Sequence, residues 1–416
     1  MQQVHRRLSD EQVRFVLQKY ESGVLSRASA QEILGVGKTR FFALLQSYRQ
    51  DPEAFSVAYS RSSPDRLSSE VEKAIERELL RDRALIADPD LPITDYNYSA
   101  LRDRLRKQDV TVSLTTVIER AKTLGCYRPR PRQKAHHRQV LTDAIGRLIQ
   151  HDASTHRWSP WAHDKWTLIA SIDDFSRKLL YAEFVLQETT WAHIQALRSL
   201  VQTYGVPLAY YVDSLRVFRF VQHRDSVWRQ QVLGTDEADP QWKQVMQLMG
   251  INVIYALSPQ AKGKIERPFR WLQDRIVRTC ALEQIATLQE GQQVLEEEVQ
   301  RYNGHQRHST TGELPDQRFA HALATGNSLF RPFALPMPYT VPDDVFCLRQ
   351  TRVTDGYRRI SLANHDITVP KALPHEQIEV HLVPDAATQA MHVRMWREGQ
   401  LLGTTALPLD RFRVHI

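Results

Sequence analysis

The order of strand-like and helix-like segments between residues 147 and 280 constrains the fold more than any other feature of the chain. Five segments are short, apolar and rich in β-branched or aromatic residues, which is typical of strands: GRLIQHDAS, KWTLIASIDD, RKLLYAEFV, PLAYYVDS and INVIYAL. The first three follow one another directly, whereas the helix-like segments TWAHIQALRSLVQTYG and PQWKQVMQLMG precede the fourth and the fifth. This order predicts a mixed α/β sheet in which three hairpin-linked strands come first and parallel strands are added later.

Three carboxylates fall where this predicted topology converges. Asp152 lies within the first strand, Asp213 ends the fourth, and Glu266 opens a long helix over residues 265–280. We expect the fourth strand to pair with the first and the helix to pack nearby, which would bring the three acids together. A strand-end aspartate is more often a cap or turn residue when it stands alone, so the prediction depends on all three.

A site of three carboxylates suits hard divalent cations. Mg²⁺ or Mn²⁺ prefers oxygen ligands, and two such ions, shared by the acids, would serve chemistry on phosphodiesters. One ion would activate the attacking water or 3′-hydroxyl and the other would stabilise the leaving oxygen, so no general-base side chain is required.

Residues 1–60 have the pattern of a helix-turn-helix DNA-binding domain. Ser9 and Gln12 predict a capping box at the start of the first helix, and a short helix over residues 28–34 is followed by a glycine-containing turn and a helix over residues 38–49. The last helix would present three residues to base edges at its leading end: Lys38, Thr39 and Arg40. A plain three-helix bundle without DNA contact is the alternative.

Residues 66–126 predict a second helical DNA-binding domain, which resembles a winged helix or a second helix-turn-helix. Ser69, Ser99 and Ser113 are the expected helix starts, and Gly125 is the expected residue after the last helix. A purely structural bundle is again the alternative.

Basic residues mark two further candidates for DNA contact. Residues 127–143 form a proline-stiffened basic linker that suits a phosphate backbone or a minor groove, although a solvated interdomain linker has the same composition. Lys262, Lys264 and Arg267 flank Glu266 and would face a DNA phosphate unless they are simply solvated. The basic residues of the linker that we single out are Arg128, Arg130, Arg132 and Lys134.

Residues 340–416 turn strand-like again. Five short strands are expected there, the last being FRVHI, with turns at Asp355-Gly356, Asn364-His365 and Glu398-Gly399. A small β-barrel is the natural packing for such strands. It would bind DNA or a neighbouring subunit, or serve as a structural cap.

Composition adds weaker constraints. The net charge of +7 is a mild indication of nucleic-acid binding, and three widely separated cysteines argue against a disulfide framework or a zinc site. No apolar run approaches transmembrane length and the first residues are polar, so neither a membrane span nor a signal peptide is predicted.

Residues 145–320 carry motifs that together point to one family. They resemble the integrase-type catalytic core of insertion-sequence transposases and retroviral integrases, the DDE group with a ribonuclease-H-like fold. This resemblance implies that the core spans residues 144–325 and that Asp152, Asp213 and Glu266 are the metal-binding catalytic triad. The gap between the last two is longer than is usual in the family, which indicates a polar surface insertion. The matching segments are LIQHDASTHRW, SIDDFSRKLLYAEF, YGVPLAYYVDSLRVF, SPQAKGKIERPFRWLQDRIV and RYNGHQRHSTTGELPDQRF.

The resemblance implies a DNA transposase. Such an enzyme would bind the terminal repeats of a mobile element as a homo-oligomer on double-stranded DNA, cut 3′ ends and join them to target DNA with Mg²⁺ or Mn²⁺. It would be cytoplasmic and nucleoid-associated in a bacterium, with no membrane partner. Two alternatives are an inactive transposase-derived regulator and a ribonuclease-H-like nuclease that cuts without joining.

Overall fold

A computed structural model describes the chain apart from a few stretches, and it divides the chain into two compact units, Met1–Glu72 and Lys73–Ile416. For residues 263–266 only the backbone is described. Within the described part, no helix is long and apolar enough to cross a membrane. The stretches outside the description are residues 1–3, 5–6, 58–66, 130–141, 213–240, 256–262 and 413–416.

The first unit contains the three helices that the sequence predicts: α1 (Asp10–Glu21), α2 (Arg27–Leu34) and α3 (Lys38–Gln50). The capping box is confirmed, since the Gln12 amide donates to Ser9 Oγ at 3.3 Å and the Ser9 amide donates to Gln12 Oε1 at 2.9 Å. Gly35 ends α2 in the left-handed region at φ 59°, which allows the sharp turn into α3. The helices bury an apolar core formed by Val13, Leu17, Leu34, Phe41 and Leu45.

Three more helices follow: α4 (Ser69–Ala87), α5 (Tyr98–Lys107) and α6 (Leu114–Thr123). They belong to the second unit except for the first four residues of α4. The predicted ends of α6 are confirmed. Ser113 Oγ accepts from the Thr116 amide at 3.0 Å, and Gly125 follows the helix at φ 66°.

Two predicted helix starts are wrong by one or two residues. Ser69 lies inside α4, and Ser68 Oγ accepts from the Val71 amide at 3.3 Å instead. Ser99 lies inside α5, whose cap is Asn97. Serine and asparagine are about equally good caps, so the sequence alone does not choose between neighbouring candidates.

The predicted mixed sheet is confirmed, with strand order β3-β2-β1-β4-β5. β1, β2 and β3 pair antiparallel, and β4 and β5 extend the sheet in parallel from β1, as expected. The strands are β1 (Ile149–His156), β2 (Trp166–Asp173), β3 (Leu179–Val185), β4 (Ala209–Val212) and β5 (Asn252–Tyr255).

Helices cover both faces of this sheet. Helices α7 (Thr190–Tyr204) and α8 (Gln241–Leu248) bury one face, and α9 (Gly263–Glu283) and α10 (Leu288–His305) bury the other. Helix α11 (Pro315–Ala324) follows. The predicted apolar face of the long helix is confirmed at Phe269, Leu272 and Ile276, which are buried; the Ile265 side chain lies outside the description.

The C-terminal strands form a four-stranded antiparallel sheet, in the order β11-β10-β9-β6, and a separate β7–β8 hairpin. The predicted turn at Glu398-Gly399 is confirmed, whereas the turn expected at Asn364-His365 lies one residue earlier, at Ala363-Asn364, where both residues have positive φ. The closed barrel stays a prediction, and most of FRVHI lies outside the described residues. The strands are β6 (Leu348–Val353), β7 (Arg359–Leu362), β8 (His365–Thr368), β9 (Gln377–Asp385), β10 (Ala390–Arg397) and β11 (Gln400–Pro408).

The C-terminal sheet shares one apolar core with α7 and α8. Gln241 of α8 donates through Nε2 to the Arg349 carbonyl at 2.5 Å, and Arg198 of α7 pairs with Asp343 at 2.8 Å. The sheet is therefore part of the second unit and not a separate appendage.

Buried ion pairs join α4 and α5 to α9. Arg104 of α5 pairs with Asp82 of α4 at 2.7 Å, and Arg278 of α9 lies 3.5 Å from the same carboxylate. Arg275 of α9 pairs with Asp103 of α5. Burial raises the pKa of Asp82, while Arg104 and Arg278 act in the opposite direction. Buried ion pairs thus hold α4 and α5 against α9. Because these charges are removed from water, the loss of one partner leaves another charge buried without full compensation.

We predict that Arg278→Met lowers the free energy of unfolding of the second unit by about 3–5 kcal/mol, because it leaves Asp82 buried with one cation fewer. All eight tryptophans lie beyond residue 157, so urea unfolding followed by tryptophan fluorescence reports this unit alone. Lys107→Met is the control: its pair with Glu297 joins α5 to α10 at 2.6 Å but is half exposed, and its loss should cost less than about 1 kcal/mol. Equal losses for the two variants would contradict the prediction.

Candidate active site on the α9 face of the sheet

Asp152 lies in the middle of β1, 9% exposed. It is directly opposite Ala170 of β2, and paired residues of antiparallel strands point to the same face of a sheet. Ala170 packs in the core that contains Phe269 and Leu272 of α9. The Asp152 carboxylate therefore lies on the face that α9 covers.

His151, the preceding residue, points to the other face, because successive side chains of a strand alternate. Its Nδ1 lies 2.8 Å from Ser171 Oγ and its Nε2 lies 2.8 Å from His193 Nδ1 of α7. His193 Nε2 in turn lies 3.1 Å from Glu188 Oε1. This buried chain of polar groups was not predicted from the sequence, in which its signal is a histidine within an apolar strand.

The parallel pairing of β1 with β4 bears on the second carboxylate. Ile149 pairs with Tyr210 and Gln150 with Tyr211, and β4 ends at Val212. Asp213 is the next residue along the chain and lies outside the described residues. The predicted pairing of the first and fourth strands is confirmed up to that point.

Glu266 lies in the first turns of α9, and its side chain is outside the description. The helix itself is firmly positioned: Phe269, Leu272 and Ile276 pack against the sheet. Gln273 Nε2 lies 2.8 Å from His156 Nε2 at the end of β1, and burial lowers the pKa of His156, with Lys165 acting in the same direction. The helix that carries Glu266 thus packs against the strand that carries Asp152.

The segment RYNGHQRHSTTGELPDQRF closes the edge of the sheet. Asn303 Oδ1 accepts from the Leu179 amide, and its Nδ2 donates to the Leu179 carbonyl, both at 2.9 Å. Farther along, Thr310 Oγ1 accepts from Arg267 Nη1 at 3.4 Å. Asn303 thus pairs with both backbone groups of Leu179 in β3. Thr310 contacts the start of α9 at Arg267, the residue that follows Glu266 in sequence.

Asp173 and Asp174 stabilise the turn between β2 and β3. Asp173 Oδ2 accepts from the Ser176 amide at 2.7 Å, and burial raises the pKa of Asp173. Asp174 forms a buried ion pair with Arg177 at 3.0 Å. Both carboxylates hold the β2–β3 hairpin.

The candidate DNA contacts fall into two groups. Lys38, Thr39 and Arg40 are exposed in the first turn of α3, and Arg267 is exposed on α9. Arg128 is exposed but donates through Nη1 to the Thr94 carbonyl at 2.9 Å, which gives it a structural contact. The remaining candidates lie outside the described residues, in the case of Lys264 by its side chain only: Arg130, Arg132, Lys134, Lys262 and Lys264.

Among the residues whose side chains are described, no group of three or more histidines, cysteines or acids could hold a metal ion. Two members of the predicted triad are not in that set. Asp152 fits such a role by its chemistry, since a carboxylate on the covered face of the sheet is a hard oxygen ligand.

The mixed sheet, its strand order and the helices on both faces fit the ribonuclease-H-like core that the sequence motifs predicted. No family model matches the chain. Over 382 residues the chain is 28% identical to y4bF of Sinorhizobium fredii (strain NBRC 101917 / NGR234), a protein named as a transposase, covering 89% of this chain and 76% of that one.

A second relative is the transposase for insertion sequence IS1202 of Streptococcus pneumoniae, with 30% identity over 171 residues. This match covers 41% of the chain and 35% of the relative. These two similarities confirm the predicted resemblance to insertion-sequence transposases. Among solved structures, the catalytic core domain of BIV integrase is 18% identical, covers 44% of this chain and 98% of its own, and has a TM-score of 0.31. The fold assignment therefore depends on the strand order and not on that likeness.

We predict that His308 makes the second unit less stable in mild acid. Burial, together with the nearby charges of Arg177 and Arg267, lowers the pKa of His308 to about 4. An unfolded histidine has a pKa of about 6.5, so the unfolded chain binds the proton first and stability falls as the pH drops from about 6.5 towards 4. Replacing His308 with glutamine should make this fall shallower in urea unfolding at a series of pH values.

The exposed His305, three residues earlier in sequence, provides the control. His305→Gln should leave the pH dependence of unfolding close to that of the wild type. An unchanged slope in His308→Gln would show that another group is responsible.

Proposed function

We propose that this protein is a DNA transposase that binds the terminal repeats of a mobile element, cleaves at the 3′ ends and joins them to target DNA. The observation that carries the proposal is the position of Asp152 on the sheet face covered by the helix of Glu266. The similarity to y4bF over most of the chain supports the same reading.

We infer that Asp152, Asp213 and Glu266 form the catalytic triad and hold Mg²⁺ or Mn²⁺ ions, most simply two. Gln150 and Tyr211 are paired, and Asp152 and Asp213 each follow these residues by two positions. Alternation along both strands, if continued, brings the two carboxylates to neighbouring positions on one face. Three carboxylates form the all-oxygen ligand set that these cations prefer.

The chemistry would be two in-line phosphoryl transfers. In the first, water attacks the phosphorus and the bond to the element's 3′-oxygen breaks; in the second, that 3′-hydroxyl attacks a target phosphorus and displaces a 3′-oxygen there. Bound divalent ions supply activation of the attacking oxygen and neutralisation of the leaving one. The chain itself would position the DNA, with exposed Arg267 beside the strand to be cut.

The first unit would read the terminal repeats. The exposed Lys38, Thr39 and Arg40 occupy the leading turn of α3, the part of a recognition helix that reaches base edges. The basic linker, with Arg128, would add contacts to phosphates. Because both ends of an element must be brought together before joining, we propose that the protein works as a homo-oligomer on double-stranded DNA.

We predict that Asp152→Asn, Asp213→Asn and Glu266→Gln each lower 3′-end cleavage and joining by a factor of about a hundred or more, since the loss of a metal ligand removes several kcal/mol of transition-state stabilisation. The assay uses purified protein, Mg²⁺ or Mn²⁺, DNA carrying the sequences that flank the protein's own gene, and a target plasmid. End binding, measured in parallel, should persist in all three variants.

Asp164→Asn is the matched control, because Asp164 is an exposed acid in the β1–β2 loop. It should retain wild-type cleavage. End binding by the wild type without cleavage under either metal would favour the inactive regulator, and cleavage without joining would favour the nuclease.

We predict that Arg40→Ala weakens binding to the terminal repeat by about 1–3 kcal/mol, as expected for the loss of a base contact. Binding to a scrambled duplex at the same salt concentration should change much less. The measurement is fluorescence anisotropy with labelled duplexes. Arg49→Ala provides the comparison, because Arg49 lies in the last turn of the same helix and pairs with Glu21 at 2.6 Å. Equal losses of affinity for both duplexes would indicate that Arg40 contacts a phosphate and not a base.

A further inference from the structure

An apolar groove runs between α1 and α2 in the first unit, and we call it the α1–α2 groove. Phe15 is 58% exposed, Val24 67% and Ile33 47%, and all three line it. Exposed apolar side chains scattered singly are ordinary, but a contiguous patch with a charged rim is typical of an interaction surface. None of the described residues of α3 lines this groove.

The rim of the groove carries opposite charges on the two sides of Phe15. Glu11 and Lys19 also line the groove, and they lie four residues before and four residues after Phe15 on α1. Residues four apart share one face of a helix. The face of α1 therefore presents an acid, an aromatic ring and a base in a row, about 6 Å apart at 1.5 Å of rise per residue. The Lys19 ammonium lies 5.3 Å from the centre of the Phe15 ring.

A row of this kind is complementary to itself when it is reversed. If two copies of α1 pack antiparallel about Phe15, the two rings meet at the centre, and Glu11 of each copy faces Lys19 of the other. A two-fold interface requires this relation, in which residue i contacts residue j and j contacts i. A membrane surface or a nucleic acid would have no use for the acid at one end of the row.

We propose that the α1–α2 groove is a self-association surface, which packs against the same surface of a second copy of this chain. The contact removes the rings of Phe15 and the side chains of Val24 and Ile33 from water. The two Glu11–Lys19 pairs fix the antiparallel direction of the contact. The proposal goes beyond the proposed catalytic function, because the contact needs neither DNA nor metal. The proposed contact does not use the first turn of α3, since no described residue of that helix lines the groove.

Charge reversal tests the contact directly. Glu11→Lys alone, or Lys19→Glu alone, would set like charges against each other twice in the dimer and should raise the dissociation constant at least about tenfold. The double variant Glu11→Lys/Lys19→Glu restores both pairs and should bind itself within about threefold of the wild type. The measurement is sedimentation velocity of the full chain over a range of concentrations, without DNA.

The design separates folding from association. The double variant contains both substitutions, so its recovery excludes misfolding as the cause of the single-variant losses. Glu53→Lys, an exposed acid of the same unit outside the groove, controls for the change in net charge and should associate like the wild type. A wild-type chain that is monomeric throughout, single variants that associate like the wild type, or a double variant that does not recover would each overturn the proposal.

A cross-link gives an independent measurement. The three native cysteines are buried, so a thiol introduced by Phe15→Cys is the accessible one. Because Phe15 lies on the proposed two-fold axis, a short bismaleimide should couple two chains through this position. The matched variant Phe42→Cys replaces another exposed phenylalanine of the unit, outside the groove, and should couple much less. Equal yields from both positions would contradict a contact centred on Phe15.

Discussion

The pairing of β1 with both of its neighbours is the constraint on which the candidate site depends. Because side chains alternate along a strand, a slip of one residue would turn Asp152 towards α7 and α8 and bring His151 under α9. The antiparallel register with β2 prevents this, since it sets Asp152 opposite the buried Ala170. The parallel register with β4 then directs the end of that strand towards the same region. The register of β1 against β2 therefore determines that Asp152, and not His151, faces α9.

Helix α9 transmits a second constraint, because it is held on two sides. Phe269 and Leu272 bind it to the sheet, and Arg275 and Arg278 bind it to α4 and α5. Buried ion pairs are a weak source of net stability, but they tolerate few alternative geometries once their charges are out of water. The position of the Glu266 backbone thus depends on helices that the sequence analysis regarded as a separate DNA-binding unit. In the structure, α4 and α5 also support the core, because their ion pairs hold α9 in place.

Periodicity predicted most of the elements correctly, and the failures have identifiable causes. The short apolar segments, their order along the chain and the apolar face of α9 are strong signals, and the strand order and the helix were predicted from them. The cap of α5 was misassigned because Asn97 and Ser99 compete on nearly equal terms. The ion pairs of Arg275 and Arg278 were not predicted at all, since a charged residue beside an apolar stripe is ordinarily solvated and only tertiary packing decides otherwise. Asp213 and the Glu266 side chain stay predictions from sequence.

The proposed tasks are divided between the two units, and the burial and exposure of their residues indicate how. The second unit keeps Asp152 on a covered face, where the proposed metal site would be shielded from competing water. The first unit exposes two different surfaces, the leading turn of α3 around Arg40 and the α1–α2 groove around Phe15. Because no described residue of α3 lines the groove, pairing two copies would present two reading helices at once. Their combined affinity for two half-sites would then exceed that of either alone, through effective concentration and without any new DNA contact.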